Sequence, residues 1–125
     1  MTLGREAAGG LWQAASTGQF KLDKEAAHEL AGHYQWMAEQ MAKQQDEVAN
    51  LQVLRGFGGF DSAKQLQEGF GGKAVQAFQA LKAAEESAYK MKAAILQAAG
   101  LSEEVEAANT AAIKAAGKAI PDANV

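Results

Sequence analysis

Two long stretches of the chain repeat apolar residues at alternating steps of three and four, with a glycine-rich segment between them. In the first, Ala27, Leu30, Tyr34, Met37, Met41, Gln44, Val48 and Leu51 fall on one stripe, the spacing of a coiled-coil-like seam. In the second, Leu66, Phe70, Ala74, Ala77, Leu81, Ala84, Ala88, Met91, Ile95 and Ala98 do the same. The patterns predict helices over about 24–54 and 63–99, the first a rod of roughly 45 Å at 1.5 Å per residue. Between them lie Gly56, Gly58 and Gly59. Each glycine costs roughly 1 kcal/mol relative to alanine in a helix interior, so the chain is expected to turn at 55–62. Phe57 and Phe60 would plug that corner, with Phe70 below them. Asp61 and Ser62 offer N-cap oxygens, and Ser62 with Gln65 has capping-box spacing. Gly69, Gly71 and Gly72 then call for a continuous helix held by packing, or a kinked one.

The flanks are weaker. Residues 1–21 read as an arm in which Arg5 to Ser16 form a short helix carrying Leu11 and Trp12, interrupted by Gly9 and Gly10. After Gly18, Asp23 can cap the first long helix, and Glu25 suits its positive end. Gly100 is a C-terminal cap, and Ser102 caps a helix over 101–117. Its thin stripe of Val105, Ala108, Ala112, Ile113 and Ala116 predicts loose docking. Residues 118–125 read as a frayed tail.

Beside the second seam, Val75, Phe78, Tyr89 and Leu96 widen the apolar face beyond the reach of one neighbouring helix. An antiparallel hairpin over 22–100 cannot cover both stripes, whereas two hairpins pairing into an all-α four-helix bundle would. Trp36 stands on the polar face with Glu29, His33 and Gln40. It is either covered by the arm with Trp12 or held for a partner, since aromatics are enriched at interfaces. The interface candidates are therefore Leu30, Tyr34, Trp36, Met37, Met41, Val48, Leu51, Val75, Phe78, Leu81, Tyr89, Met91 and Ile95.

Composition narrows the function classes. The 125 residues suffice for one domain and leave a lone hairpin little interior. Net charge is −3, and the twelve basic residues are scattered, a poor footprint for nucleic acid. There is no cysteine, hence no disulfide framework or thiolate site. No apolar run approaches the ~20 residues of a membrane span, and the N-terminus lacks the apolar core of a signal peptide.

Candidate chemistry is sparse. His28 and His33 lie in His-Glu-Leu-Ala-Gly-His, but a five-residue step sets them about 140° apart around a helix, so they cannot share one ion within it. Gly-Phe-Gly-Gly-Phe does not match the dinucleotide fingerprint and follows a helix instead of a strand. Gly72-Lys73 fails the phosphate-loop pattern at Gln67 and Ala74. No nucleophile, base and acid set can be assembled, so no catalytic, cofactor or metal residue is nominated.

The stretch from Leu54 to Ala74 contains G-F-G-x-F-x-S-x-x-x-L-x-x-G-F-x-x-K-A, and Leu22 to Tyr34 reads Leu-Asp-Lys-Glu-Ala-Ala-His-Glu-Leu-Ala-Gly-His-Tyr. Both resemble the turn and the first-helix start of actinobacterial relatives of the WXG superfamily, the early-secreted-antigen-type hairpins of type VII (ESX) secretion. The resemblance covers about residues 20–100. It implies a non-enzymatic hairpin protein, made in the cytoplasm, that pairs with itself or a related hairpin and meets the secretion machinery as a substrate or a substrate's partner. Two features depart from the family. Gly56 to Phe60 stand in place of Trp-x-Gly, and neither Tyr34 nor Tyr89 has an acid four residues on, where Ala38 and Ala93 stand. In this family the export signal can be carried by one partner of a dimer. The alternative is a cytoplasmic structural or adaptor bundle that is not exported.

Overall fold

The computed structural model describes the backbone of residues 2–51 and 61–120 and the side chains of residues 4–50, 68, 69 and 71–120. The expected turn residues Gly56, Phe57, Gly58, Gly59 and Phe60, the side chains of Leu51, Phe70 and the capping box, and residues 121–125 lie outside these. The all-α expectation holds. Four helices, α1 (Thr2–Ser16), α2 (Lys24–Leu51), α3 (Asp61–Ala98) and α4 (Ser102–Ala116), form the described structure, and no strand occurs among the described residues.

α1 is longer than the sequence suggests and runs unbroken through Gly9 and Gly10, because docking on α3 supplies what helix propensity withholds. It ends where Gly18 takes φ +80 and Phe20 N–H reaches back to the Ala14 carbonyl at 3.0 Å, a left-handed cap that glycine adopts without a Cβ penalty. At the start of α2, Asp23 Oδ1 accepts the Ala26 N–H at 2.7 Å. α3 continues through Gly69, Gly71 and Gly72 as one helix. Gly100, at φ +70, closes it, with Leu101 N–H bonded to the Leu96 carbonyl at 3.1 Å and Gly100 N–H to that of Gln97 at 3.0 Å. Ser102 is not the cap expected of it. Leu101 occupies that position without a side-chain bond, and Ser102 is the first helical residue.

The core sits around the second half of α3, which packs against α1, α2 and α4. Ala93, Ile95 and Leu96 are buried with Ala27 and Ala31 of α2 and Val105 and Ala108 of α4, and Leu11 and Trp12 of α1 pack against this cluster. The linker after α1 is tied in as well, through Leu22 N–H to the Ala98 carbonyl at 3.0 Å.

The inner stripes differ from the expected seams. In α2 the buried positions are Ala27, Ala31, Ala38, Gln45 and Ala49, while Leu30 and Met37 stand on the flank. In α3, Phe78 and Leu96 belong to the core and not to an edge, and Ala77 is exposed. Alanine lets helix axes approach closely, so the wider side chains move to the margins of the contact. α4 is docked by Val105, Ala108, Ala112 and Ala115, whereas Ile113 is 73% exposed and Ala116 faces water.

Candidate interaction surface

α2 meets α3 through polar side chains as well as alanine. Lys92 Nζ donates to Gln35 Oε1 at 2.7 Å, and Gln45 Nε2 donates to Glu85 Oε1 at 2.8 Å. Glu85, its side chain only 4% exposed, also pairs with Lys118 Nζ at 2.7 Å. Lys82 Nζ in turn donates to the Lys118 carbonyl at 2.9 Å, so the residue following Gly117 is clasped to α3 where fraying was expected. Burial, then the charge of Glu85, raises the Tyr89 phenol above its ordinary value.

On the α1 side of α3, Glu86 accepts from Arg5 at 2.8 Å and from Lys90 at 2.9 Å. Burial alone would raise this carboxyl, but the hydrogen bonds and charges of Lys90 and Arg5 outweigh it and hold the group below the usual range. A groove of ≈ 310 Å³ opens beside this pair, with Trp12 and Asn109 on its walls. Its two cations, Arg5 and Lys90, are both engaged by Glu86, which leaves it no free charge for an anion.

The other groove is apolar. It has a volume of ≈ 260 Å³, a floor of Ala84, Ala88 and Met91 from α3, and walls of Tyr34 and Met37 from α2 and Gly4 and Ala7 from α1. α1 approaches so closely there that a Cβ on Gly4 would stand 3.1 Å from Ser87 Oγ. On α2, Leu30 is 41%, Met37 42% and Trp36 61% exposed. Trp12 packs on the core instead, so the arm does not cover Trp36.

The remaining interface candidates divide. Tyr34 and Met91 line the groove. Met41, Val48, Val75, Leu81 and Tyr89 are half-buried, and Phe78 and Ile95 are buried inside the chain. Leu51 has no described side chain. His28 turns toward α4, its Nε2 lying 3.0 Å from each Glu104 oxygen, while His33 is exposed. Among the described residues, no three His, Cys, Asp or Glu side chains gather as a metal site would need. No helix among them is long and apolar enough to cross a membrane.

Sequence reasoning missed the buried Gln45, Glu85 and Glu86. A faint signal existed, because Gln45 falls at core spacing between Ala38 and Ala49. Nothing local distinguishes such a residue from a solvated one. Comparison with protein-family models, with curated proteins and with solved structures finds no match for this chain.

Proposed function

We propose that this chain is a non-enzymatic, type VII secretion-associated helical protein that works by pairing, with a second copy or a related hairpin, through the outer side of α2. One observation carries the pairing. Leu30, Trp36 and Met37 are all exposed on a single helix, Met37 bordering an apolar groove, in a chain whose other large apolar side chains, Ile113 apart, are buried or half-buried among the described residues. Exposed apolar groups that include an aromatic are what an interface draws on.

In this reading α2 and α3 form one antiparallel hairpin turning at Gly56 to Phe60. Its support is the order of the cross-helix bonds, Gln35 with Lys92 and Gln45 with Glu85, in which the partner number falls as the α2 number rises. The link to type VII secretion rests on the resemblance of residues 20–100, and export would rely on a signal carried by the partner. Co-expression with a neighbouring small hairpin protein, and separately alone, followed by light scattering, tests the pairing. Dimers weakened by Trp36→Ala are expected, and a folded monomer in every combination would overturn it.

A second reading, a cytoplasmic structural or adaptor bundle, is favoured by the packing of α1 and α4 on α3. The chain thereby supplies four helices of its own, and the need for a second hairpin to cover the seams falls away. Immunodetection in culture supernatant against cell lysate separates the two readings, since an adaptor stays with the cells.

A further inference from the structure

The outer face of α2 carries charge in an order that reads the same against itself. Glu29, Gly32, His33, Trp36, Glu39, Gln40 and Lys43 lie within about 60° of one direction at 100° per residue, opposite the buried stripe of Ala27, Ala38 and Gln45. All are exposed except the half-buried Gln40. When two copies of this face are laid antiparallel about a two-fold axis through Trp36, residue 29 meets 43, 33 meets 39 and 32 meets 40. Each Glu29 then faces a Lys43 of the other copy near the centre line, and the indoles meet at the axis. The next charged pair, Glu25 against Glu47, is of like sign and lies about 16 Å from the axis, beyond the Glu29–Lys43 pairs, so it opposes the arrangement from its outer ends.

Glycine at position 32 fits the same arrangement. Among the described residues a Cβ there would meet nothing within 4 Å, so no contact with them calls for glycine at a helical position where it costs up to about 1 kcal/mol relative to alanine. Its absent side chain leaves a notch one turn from the 61% exposed Trp36.

We propose that the partner on this face is a second copy of the chain, docked α2 to α2, antiparallel, with Trp36 on the two-fold axis and Glu29–Lys43 pairs on either side. This rests on the reading that the protein works by pairing through α2, and adds the partner and the register. An isologous contact of this kind places the same patch on both copies. One helix face per copy is a small area, so the dimer is weak and reversible.

Sedimentation equilibrium of the full chain over a concentration series tests it, with circular dichroism confirming that each variant is folded. Glu29→Lys and Lys43→Glu each turn two attractive pairs into repulsive ones and are expected to weaken the dimer about tenfold. Mixing the two variants in equal amounts restores opposite charges at every pair and should return wild-type affinity as a heterodimer. Trp36→Ala should weaken it about thirty-fold or more, Gly32→Leu should weaken it while raising monomer stability, and Glu25→Lys should tighten it or leave it unchanged and never weaken it. A mixture no tighter than either variant alone, with Trp36→Ala still disruptive, overturns the register and leaves pairing through α2 standing. A wild-type chain that is monomeric alone but dimeric with a related hairpin overturns the second copy as partner, and a monomer in all combinations overturns both.

Discussion

Among the described residues, Glu85 is the most deeply buried carboxylate. Its side chain is 4% exposed, and both Gln45 Nε2 and Lys118 Nζ converge on the same oxygen, at 2.8 and 2.7 Å. A carboxylate withdrawn from water in this way depends on its counterion, and that counterion stands just past the end of α4. Lys118→Met is therefore expected to lower unfolding stability by about 1 to 3 kcal/mol, the lower part of the range for a broken buried pair because Lys118 is partly solvated. Adding Glu85→Gln should recover much of the loss, since an amide needs no counterion. Urea denaturation of the single and double variants measures both, and an unchanged midpoint for Lys118→Met would refute the clasp. Glu86 behaves differently with pH. Its carboxyl is held below the ordinary 4.5 by Lys90 and Arg5 despite burial, so its contribution is complete above 4.5 and is lost as pH falls through the lower folded-state value. Arg5 is 57% exposed, which limits the pair to about 1 kcal/mol or less. Arg5→Gln should thus cost stability at pH 7 and progressively less below pH 4. A difference that grew on acidification would contradict the assignment.

At the scale of elements, α1 shows glycine used in opposite ways within one helix. Gly4 permits the close approach to α3, whereas a Cβ on Gly10 would meet nothing within 4 Å among the described residues. Gly10→Ala should raise stability by about 0.5 to 1 kcal/mol through helix propensity. Gly4→Leu should instead lift the first turn of α1 off Ser87, lowering the melting temperature and speeding proteolysis within residues 4–16. The same contrast explains how much of the fold was legible beforehand. The existence of two long helices, the Asp23 cap and the Gly100 terminus were readable because each has a local cause within a few residues. The inner stripe was read one position off, at Leu30 and Met37 instead of Ala31 and Ala38, because large apolar side chains dominate a periodicity count while tightly packed helices put alanine between their axes. α1 was hidden by its own glycines, and the burial of Gln45, Glu85 and Glu86 depends on partners distant in the chain. Of the candidate surface, Trp36 was visible as an aromatic on a polar face. The groove beside Met37 was not, since its third wall is α1.

The molecule as a whole is built unevenly along α3. Residues 82–98 are enclosed by α2 on one side and by α1, α4 and Lys118 on the others, so that Ala93, Ala94, Ile95 and Leu96 are all buried in succession. Residues 68–80 are less enclosed. Ala74 and Phe78 are buried there, while Glu68, Gly69, Gly72, Lys73, Gln76, Ala77, Gln79 and Ala80 face water, and the glycines add no propensity to hold the helix. A continuous helix gives every amide of both halves the same kind of backbone bond, so differences in hydrogen exchange must come from tertiary packing. Amides of residues 71–80 are therefore expected to exchange through a partial opening on the order of 2 kcal/mol cheaper than the global unfolding that releases residues 93–96. α4 should open with the latter group, because Val105 and Ala108 share their core. Native-state exchange read by NMR against denaturant concentration distinguishes the cases. Uniform protection along α3 would mean that the more exposed first half is held as firmly as the second. Early exchange of α4 would return that helix to the loosely docked element its thin apolar stripe suggests.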